Sequence, residues 1–139
     1  MALTSDVDRL LVASFGASRL RDYERVVCCR RDGEVVGVVG LYWIGRYLSV
    51  NQLCVDARCR RQGIGSALLR FVCAEFAGAD LALYVDRGRE DTASLVRFYE
   101  KRGFEQVESA EGLVVDAEVE VLMIRNAGSA AQARAPARA

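Results

Sequence analysis

Leu53-Cys54-Val55-Asp56-Ala57-Arg58-Cys59-Arg60-Arg61-Gln62-Gly63-Ile64-Gly65-Ser66 is the stretch on which the reading of this chain turns. It begins as an apolar strand and passes through an arginine-rich turn. It then enters a segment in which Ile64, Ala67, Leu68, Phe71 and Val72 follow one face of a helix. A helix start leaves backbone N–H groups without partners and carries partial positive charge. Together these make an anion site. Gly63 and Gly65 let the backbone approach a phosphate closely, and Arg60 and Arg61 add charge beside it. A plain strand-to-helix turn with solvated arginines uses the same residues, and the two glycines alone do not decide between the readings. The nucleotide P-loop pattern is absent, since no lysine follows the glycines. A dinucleotide fingerprint is absent too: Leu68 stands where its third glycine would be, and the preceding strands are hairpin-connected.

Upstream, Val26–Cys29 and Val35–Ile44 are two strand-like runs separated by Arg31-Asp32-Gly33-Glu34. Asp-Gly between apolar runs signals a hairpin. After a turn at Gly45-Arg46, Tyr47–Val55 is a third strand, so 26–55 reads as an antiparallel meander. Before it, Val7, Leu10, Leu11 and Phe15 mark a helix capped by Ser5 with Asp8 three residues on, ending at Gly16 and Ser18. Downstream, Gly78 closes the second helix, and Leu81–Val85 is a short buried strand. Asp91 and Thr92 offer caps to a third helix, whose stripe is Leu95, Phe98 and Tyr99 and whose stop is Gly103. An acidic stretch with Glu108, Glu111, Asp116 and Glu118 precedes a last strand, Val119–Ile124, which reads as an exposed edge inviting a homodimer. The order α, β-β-β, α, β, α, β implies an α+β or mixed α/β fold with a largely antiparallel sheet. The sequence reads as one domain over residues 1–126, and the low-complexity stretch 127–139 is expected to be a disordered tail.

Composition narrows the function. In 139 residues, 19 basic groups balance 19 acidic ones, which argues against a nucleic-acid or membrane-surface binder. An apolar fraction of 52% excludes disorder for most of the chain. With no histidine, Ser-His-Asp hydrolysis, Cys-His nucleophiles and most zinc sites fall away. Cys28, Cys29, Cys54, Cys59 and Cys73 are odd in number and lack a CxxC pair, so neither a disulfide framework nor a metal site is expected. A reduced, cytoplasmic setting follows. No run approaches the ~18 apolar residues of a membrane span, and no signal peptide is expected.

Two motifs then carry a resemblance. Leu53-x-Val55 followed by Arg60-x-x-Gly63-x-Gly65 resembles the R/Q-x-x-G-x-G/A motif by which the GNAT superfamily of N-acetyltransferases binds acetyl-CoA. Leu95 to Phe104, containing Phe98-Tyr99-Glu100-Lys101-Arg102-Gly103-Phe104, is similar to the family's FYEK-x-GF helix end. Both stand in family order across residues 26–125. The resemblance implies a central twisted sheet, splayed at the cofactor site and flanked by helices. It implies acetyl-CoA as co-substrate and direct transfer of acetyl to a primary amine, on a small molecule or a peptide. Leu53, Cys54 and Val55 would pair with the pantetheine arm, the amides of Arg61, Gln62, Gly63, Ile64, Gly65 and Ser66 would hold the pyrophosphate, and Arg60 would add charge. Tyr99 would be the general acid to the departing thiolate. A phenol is protonated at neutral pH and can donate to a thiolate. Without the motif, Tyr99 reads first as a core residue beside Phe98 on the same helix.

No base is assigned. Ser49, Asn51 and Gln52 could orient a water, and Asp86 is the nearest acid. Cys54 is expected to pack and Cys59 to sit exposed, so a ping-pong scheme through either is not expected. The family's first strand is missing or very short, which leaves the acceptor pocket open in identity. The competing function is a CoA-binding scaffold or sensor without catalysis.

Overall fold

A computed structural model of the chain describes residues 2–15 and 20–128. In chain order it contains α1 (Ala2–Phe15), β1 (Arg25–Arg31), β2 (Glu34–Ile44), β3 (Tyr47–Val55), α2 (Ile64–Glu75), β4 (Asp80–Asp86), α3 (Thr92–Glu100), β5 (Glu105–Val107) and β6 (Glu120–Arg125). Single 3-10 turns occur at Leu20–Asp22 and Ala57–Cys59. Hydrogen bonding joins the strands in the order β1-β2-β3-β4-β6-β5, a mixed sheet. The α+β class follows as the sequence indicated. The chain divides into two compact units: residues 1–42 with 50–75, and residues 43–49 with 76–139.

The first unit is built on strand alternation. Successive side chains of a strand point to opposite faces. Alternation thus separates Val26 and Cys28 from Val27 and Cys29 on β1; the first two join Cys54 of β3, and Val35 and Val38 of β2, under Val7, Leu10 and Leu11 of α1. Val27 and Cys29 join Val36, Leu53 and Val55 under Ile64 and Leu68 of α2. The Asp32-Gly33 turn has φ of +53° and +82°, the mirror-image hairpin geometry that the sequence signalled. β1 and β2 pair antiparallel, with a bulge where Cys29 faces Gly37 and Arg30 faces Val35. The bulge directs Gly37 at α2: a Cβ there would lie 2.7 Å from Ile64 Cγ2 and 2.9 Å from Leu68 Cδ1. Glycine at 37 thus lets α2 sit close on the strand.

The second unit pairs β4 with β6 over six residues, Leu81–Arg125 to Asp86–Glu120, and β6 with the short β5, both antiparallel. β3 meets β4 in parallel at Tyr47–Asp80, Leu48–Leu81 and Ser49–Ala82. The sheet core here is Tyr47, Ala82, Leu122 and Ile124. Among the described residues, no helix is long and apolar enough to cross a membrane.

Several expectations are corrected. β6 is not an edge: it lies between β4 and β5, so the argument for a homodimer through that strand lapses. β5 escaped notice because three residues are too few to show alternation. α1 starts at Ala2, which places Ser5 inside the helix rather than at its cap. The stops at Gly16 and Ser18, and the tail from 129, lie outside the described residues. α2 ends at Glu75, three residues before Gly78. Its buried face is Ile64, Leu68, Leu69, Val72 and Cys73, whereas Ala67 is exposed and Phe71 half exposed. On α3, Val96 and Tyr99 are the buried pair, with Leu95 and Phe98 flanking. Asp91 holds the N-cap position but makes no side-chain capping bond; its carboxylate accepts from Arg89 instead. Thr92 donates to the carbonyls of Asp86 and Arg89. The acidic stretch is anchored at two points: Tyr84 donates to the Val114 carbonyl at 2.8 Å and Arg87 to that of Ala117 at 2.7 Å.

Candidate cofactor and catalytic sites

The glycine loop belongs to the first unit and is set from β3 outward. Asp56 follows the strand, and its amide donates to the Val36 carbonyl at 2.8 Å, which ties the strand end to β2. Its carboxylate caps the Ala57–Cys59 turn by accepting from the Arg58 amide at 2.9 Å. The Arg58 guanidinium returns to both Asp56 oxygens, at 3.1 and 2.9 Å, and also reaches Glu34. These hydrogen bonds from Arg58 hold the Asp56 carboxyl down at about 2. Arg58 is correspondingly raised, its hydrogen bond to Asp56 being the main cause. Cys59 is half-buried against Val36, Ile64 and Leu68, not exposed as expected.

Beyond this clamp the chain turns sharply. Arg60 Nε donates to the Val55 carbonyl at 3.4 Å, holding that guanidinium at the strand end. Arg61 has φ +64° and Gly63 φ +78°. Gly63 supplies its left-handed turn without steric cost, and a Cβ there would meet nothing within 4 Å. Gln62 accepts from Arg31. Ile64 then drops its side chain into the core. The Gly63 carbonyl takes the first bond of α2, from the Ala67 amide at 2.9 Å. A Cβ at Gly65 would find only ordinary contact, Val55 Cγ2 at 3.6 Å. The protein itself does not require glycine at 65. A closely approaching ligand would.

The strand feeding the loop is irregular where it matters. Its ladder with β4 ends at Ser49–Ala82, and Gln52 has φ +50°. Cys54 is buried in the α1-side core, as expected, while Leu53 and Val55 pack toward α2. All five cysteines are free thiols.

Tyr99 belongs to the second unit. It is 9% exposed, packed edge-on against Phe98 at 5.2 Å and Phe104 at 5.6 Å. Its position is fixed by the helix end, where Gly103 and Phe104 amides donate to the Glu100 and Tyr99 carbonyls. Arg102 braces the same turn, stacked over Phe98 at 3.9 Å. Burial pushes the Tyr99 phenol up to about 12, so it keeps its proton through the neutral and mildly alkaline range. Asp86, considered as an acid, is an exposed turn former whose Oδ1 accepts from the Gly88 amide at 2.7 Å. Ser49 is 1% exposed and part of the core. The sequence reading missed the Asp56–Arg58–Glu34 clamp, although Asp-x-Arg at a strand end was a visible signal. It had no means of finding the left-handed Gln52.

With this geometry established, comparisons with known proteins place the chain. Residues 22–106 match the model of the acetyltransferase (GNAT) domain, and the chain belongs to that family. The match spans both the glycine loop and Tyr99. A curated relative, the UPF0157 protein YqkA of Bacillus subtilis, is 32% identical over 96 residues, which is 67% of this chain and 27% of that protein. The match therefore spans about a quarter of the relative's length. Among solved structures, a putative GNAT-family acetyltransferase from Bacteroides thetaiotaomicron superposes with a TM-score of 0.69 at 22% identity, covering 90% of this chain and 81% of the other. Arabidopsis thaliana Naa50, in complex with the bisubstrate analogue CoA-Ac-MVNAL, gives 0.70 at 19% identity, covering 88% and 91%. At these identities the structures speak for the fold.

Proposed function

We propose that this chain is an acetyl-CoA-dependent N-acetyltransferase that passes acetyl directly to a primary amine. The observation that carries the reading is the β3–loop–α2 junction of a GNAT-family chain. There the strand ladder with β4 stops at Ser49, left-handed turns fall at Arg61 and Gly63, and Gly65 is unneeded by the protein's own packing. Backbone groups of Leu53, Cys54 and Val55 serve the pantetheine arm. The amides from Arg61 to Ser66, at the positive end of α2, hold the pyrophosphate, and Arg60 adds charge. Bound acetyl-CoA supplies an activated thioester. Strand amides polarise its carbonyl, and holding both reactants in place supplies much of the rate. As the acceptor nitrogen bonds to the carbonyl carbon and the C–S bond breaks, Tyr99 gives its phenolic proton to the sulfur; the proton shed by the amine passes to water, from which the Tyr99 phenolate is reprotonated. Its protonated state at neutral pH supports that role. Free thiols throughout suit a reducing, intracellular setting.

Thermal unfolding tests the cofactor. Acetyl-CoA at about 100 times its dissociation constant stabilises the fold by about 2.7 kcal/mol, and ATP does not. Tyr99→Phe then tests the chemistry: turnover falls while acetyl-CoA affinity holds. Binding without turnover on any amine would favour the scaffold reading instead, and no stabilisation would remove the cofactor assignment.

A further inference from the structure

Tyr23 lies outside both family motifs, between the Leu20–Asp22 turn and β1, yet three contacts fix it. Its ring lies on the backbone of Gly40, in the space a Cβ would fill. It stacks on Tyr42, two residues further along β2, at 6.2 Å and 15°. Its hydroxyl donates to Gln52 Oε1 at 2.5 Å, a partly buried bond across 29 residues of sequence.

Gln52 is the residue at which β3 adopts a left-handed conformation, φ +50°. Such a conformation is disfavoured for a side chain with a Cβ and persists where surrounding structure holds it. It falls three residues after the last pair of β3 with β4 and immediately before Leu53. The kink therefore sets which way the peptide groups of Leu53–Val55 face. Glycine at 40 is the complementary feature: any side chain there would lift the Tyr23 ring off the strand and take the hydroxyl from Gln52.

We propose that Tyr23 is a positioning residue for acetyl transfer: bedded on Gly40 and bonded to the Gln52 side chain, it holds the kink of β3 and so fixes the backbone that meets the thioester. This rests on the proposed binding of acetyl-CoA along Leu53–Val55. If Tyr23 merely filled space, its ring would suffice and phenylalanine would serve equally. The proposal gives the hydroxyl the decisive part.

The test follows the carbonyl resonance of [1-13C]acetyl-CoA bound to the full chain, with affinity measured by calorimetry. In the wild type, polarisation moves the bound carbonyl downfield of its free position. Tyr23→Phe moves it back toward the free position while affinity changes far less than the roughly tenfold worth of one hydrogen bond. Gln52→Ala produces the same displacement, and adding Tyr23→Phe to it changes nothing more, because the two act as one unit. Gly40→Ala, checked for a cooperative unfolding transition, repeats the Tyr23→Phe spectrum. A Tyr23→Phe resonance at the wild-type position, or effects that add in the double variant, would overturn the proposal. If the wild type binds no acetyl-CoA, the cofactor reading fails and takes this with it. Binding with an unmoved Tyr23→Phe resonance sinks the positioning role alone.

Discussion

Gly65→Ala separates folding from cofactor binding, because the two effects have opposite signs. Gly65 is the second residue of α2, and its φ lies outside the left-handed region. An added Cβ meets only Val55 Cγ2, at 3.6 Å, an ordinary van der Waals distance. Alanine should therefore cost nothing in packing and restrict the unfolded chain, a gain of about 0.5–1 kcal/mol. For a domain of this size the gain raises the melting temperature by about 2–4 °C. If the amides around Gly65 cradle pyrophosphate, the same methyl stands where the ligand must come closest. Displacing it by a few tenths of an ångström from those donors costs about 1.4 kcal/mol, or tenfold in affinity. The variant should melt higher without ligand and bind acetyl-CoA tenfold more weakly, by thermal unfolding and calorimetry on one preparation. A variant that binds as tightly as wild type would show that the ligand does not approach this backbone. One that melts lower would show that the space beside Val55 is not there.

Gly37→Ala should act the other way. Its Cβ meets buried Ile64 and Leu68 below 3.0 Å, so overpacking should cost about 1–3 kcal/mol in urea unfolding. Weakened acetyl-CoA binding should accompany it, since α2 carries the loop. Asp56, held at about 2 by hydrogen bonds from Arg58, has its folded pKa below the unfolded value. Its contribution is present above pH 4 and lost as pH falls toward 2. Stability curves of wild type and Asp56→Asn should therefore converge over that range, and parallel curves would mean the clamp adds nothing. Tyr99→Phe should depress kcat with little change in acetyl-CoA affinity, measured by thiol release against calorimetry; an unchanged kcat would return Tyr99 to the core.

Much of this arrangement is legible in the sequence because it depends on local chemistry. Asp32-Gly33 can turn only one way easily, Arg60-x-x-Gly63-x-Gly65 needs the left-handed residue it contains, and Phe98 to Phe104 ends a helix at a glycine. Strand β3 is read over its full span, Tyr47–Val55, because nine apolar-rich residues lie between two turns. What the sequence determined by itself is therefore the order of every strand and helix but β5, the α+β class and the identity of the loop and tyrosine motifs. Tertiary structure decided the rest. The 3.6 period of α2 fixes that one face is buried, but packing sets which one: Leu69 and Cys73 lie on it, while Phe71 is half exposed. β6 reads as an edge until the three residues of β5 pair with it. Tyr23, Gly40 and Gln52 carry no common signal along the chain; the contact exists because the sheet brings β2 beside β3. A left-handed residue inside a strand is stable only through such neighbours, and side chains far apart in sequence supply them only once the chain has folded.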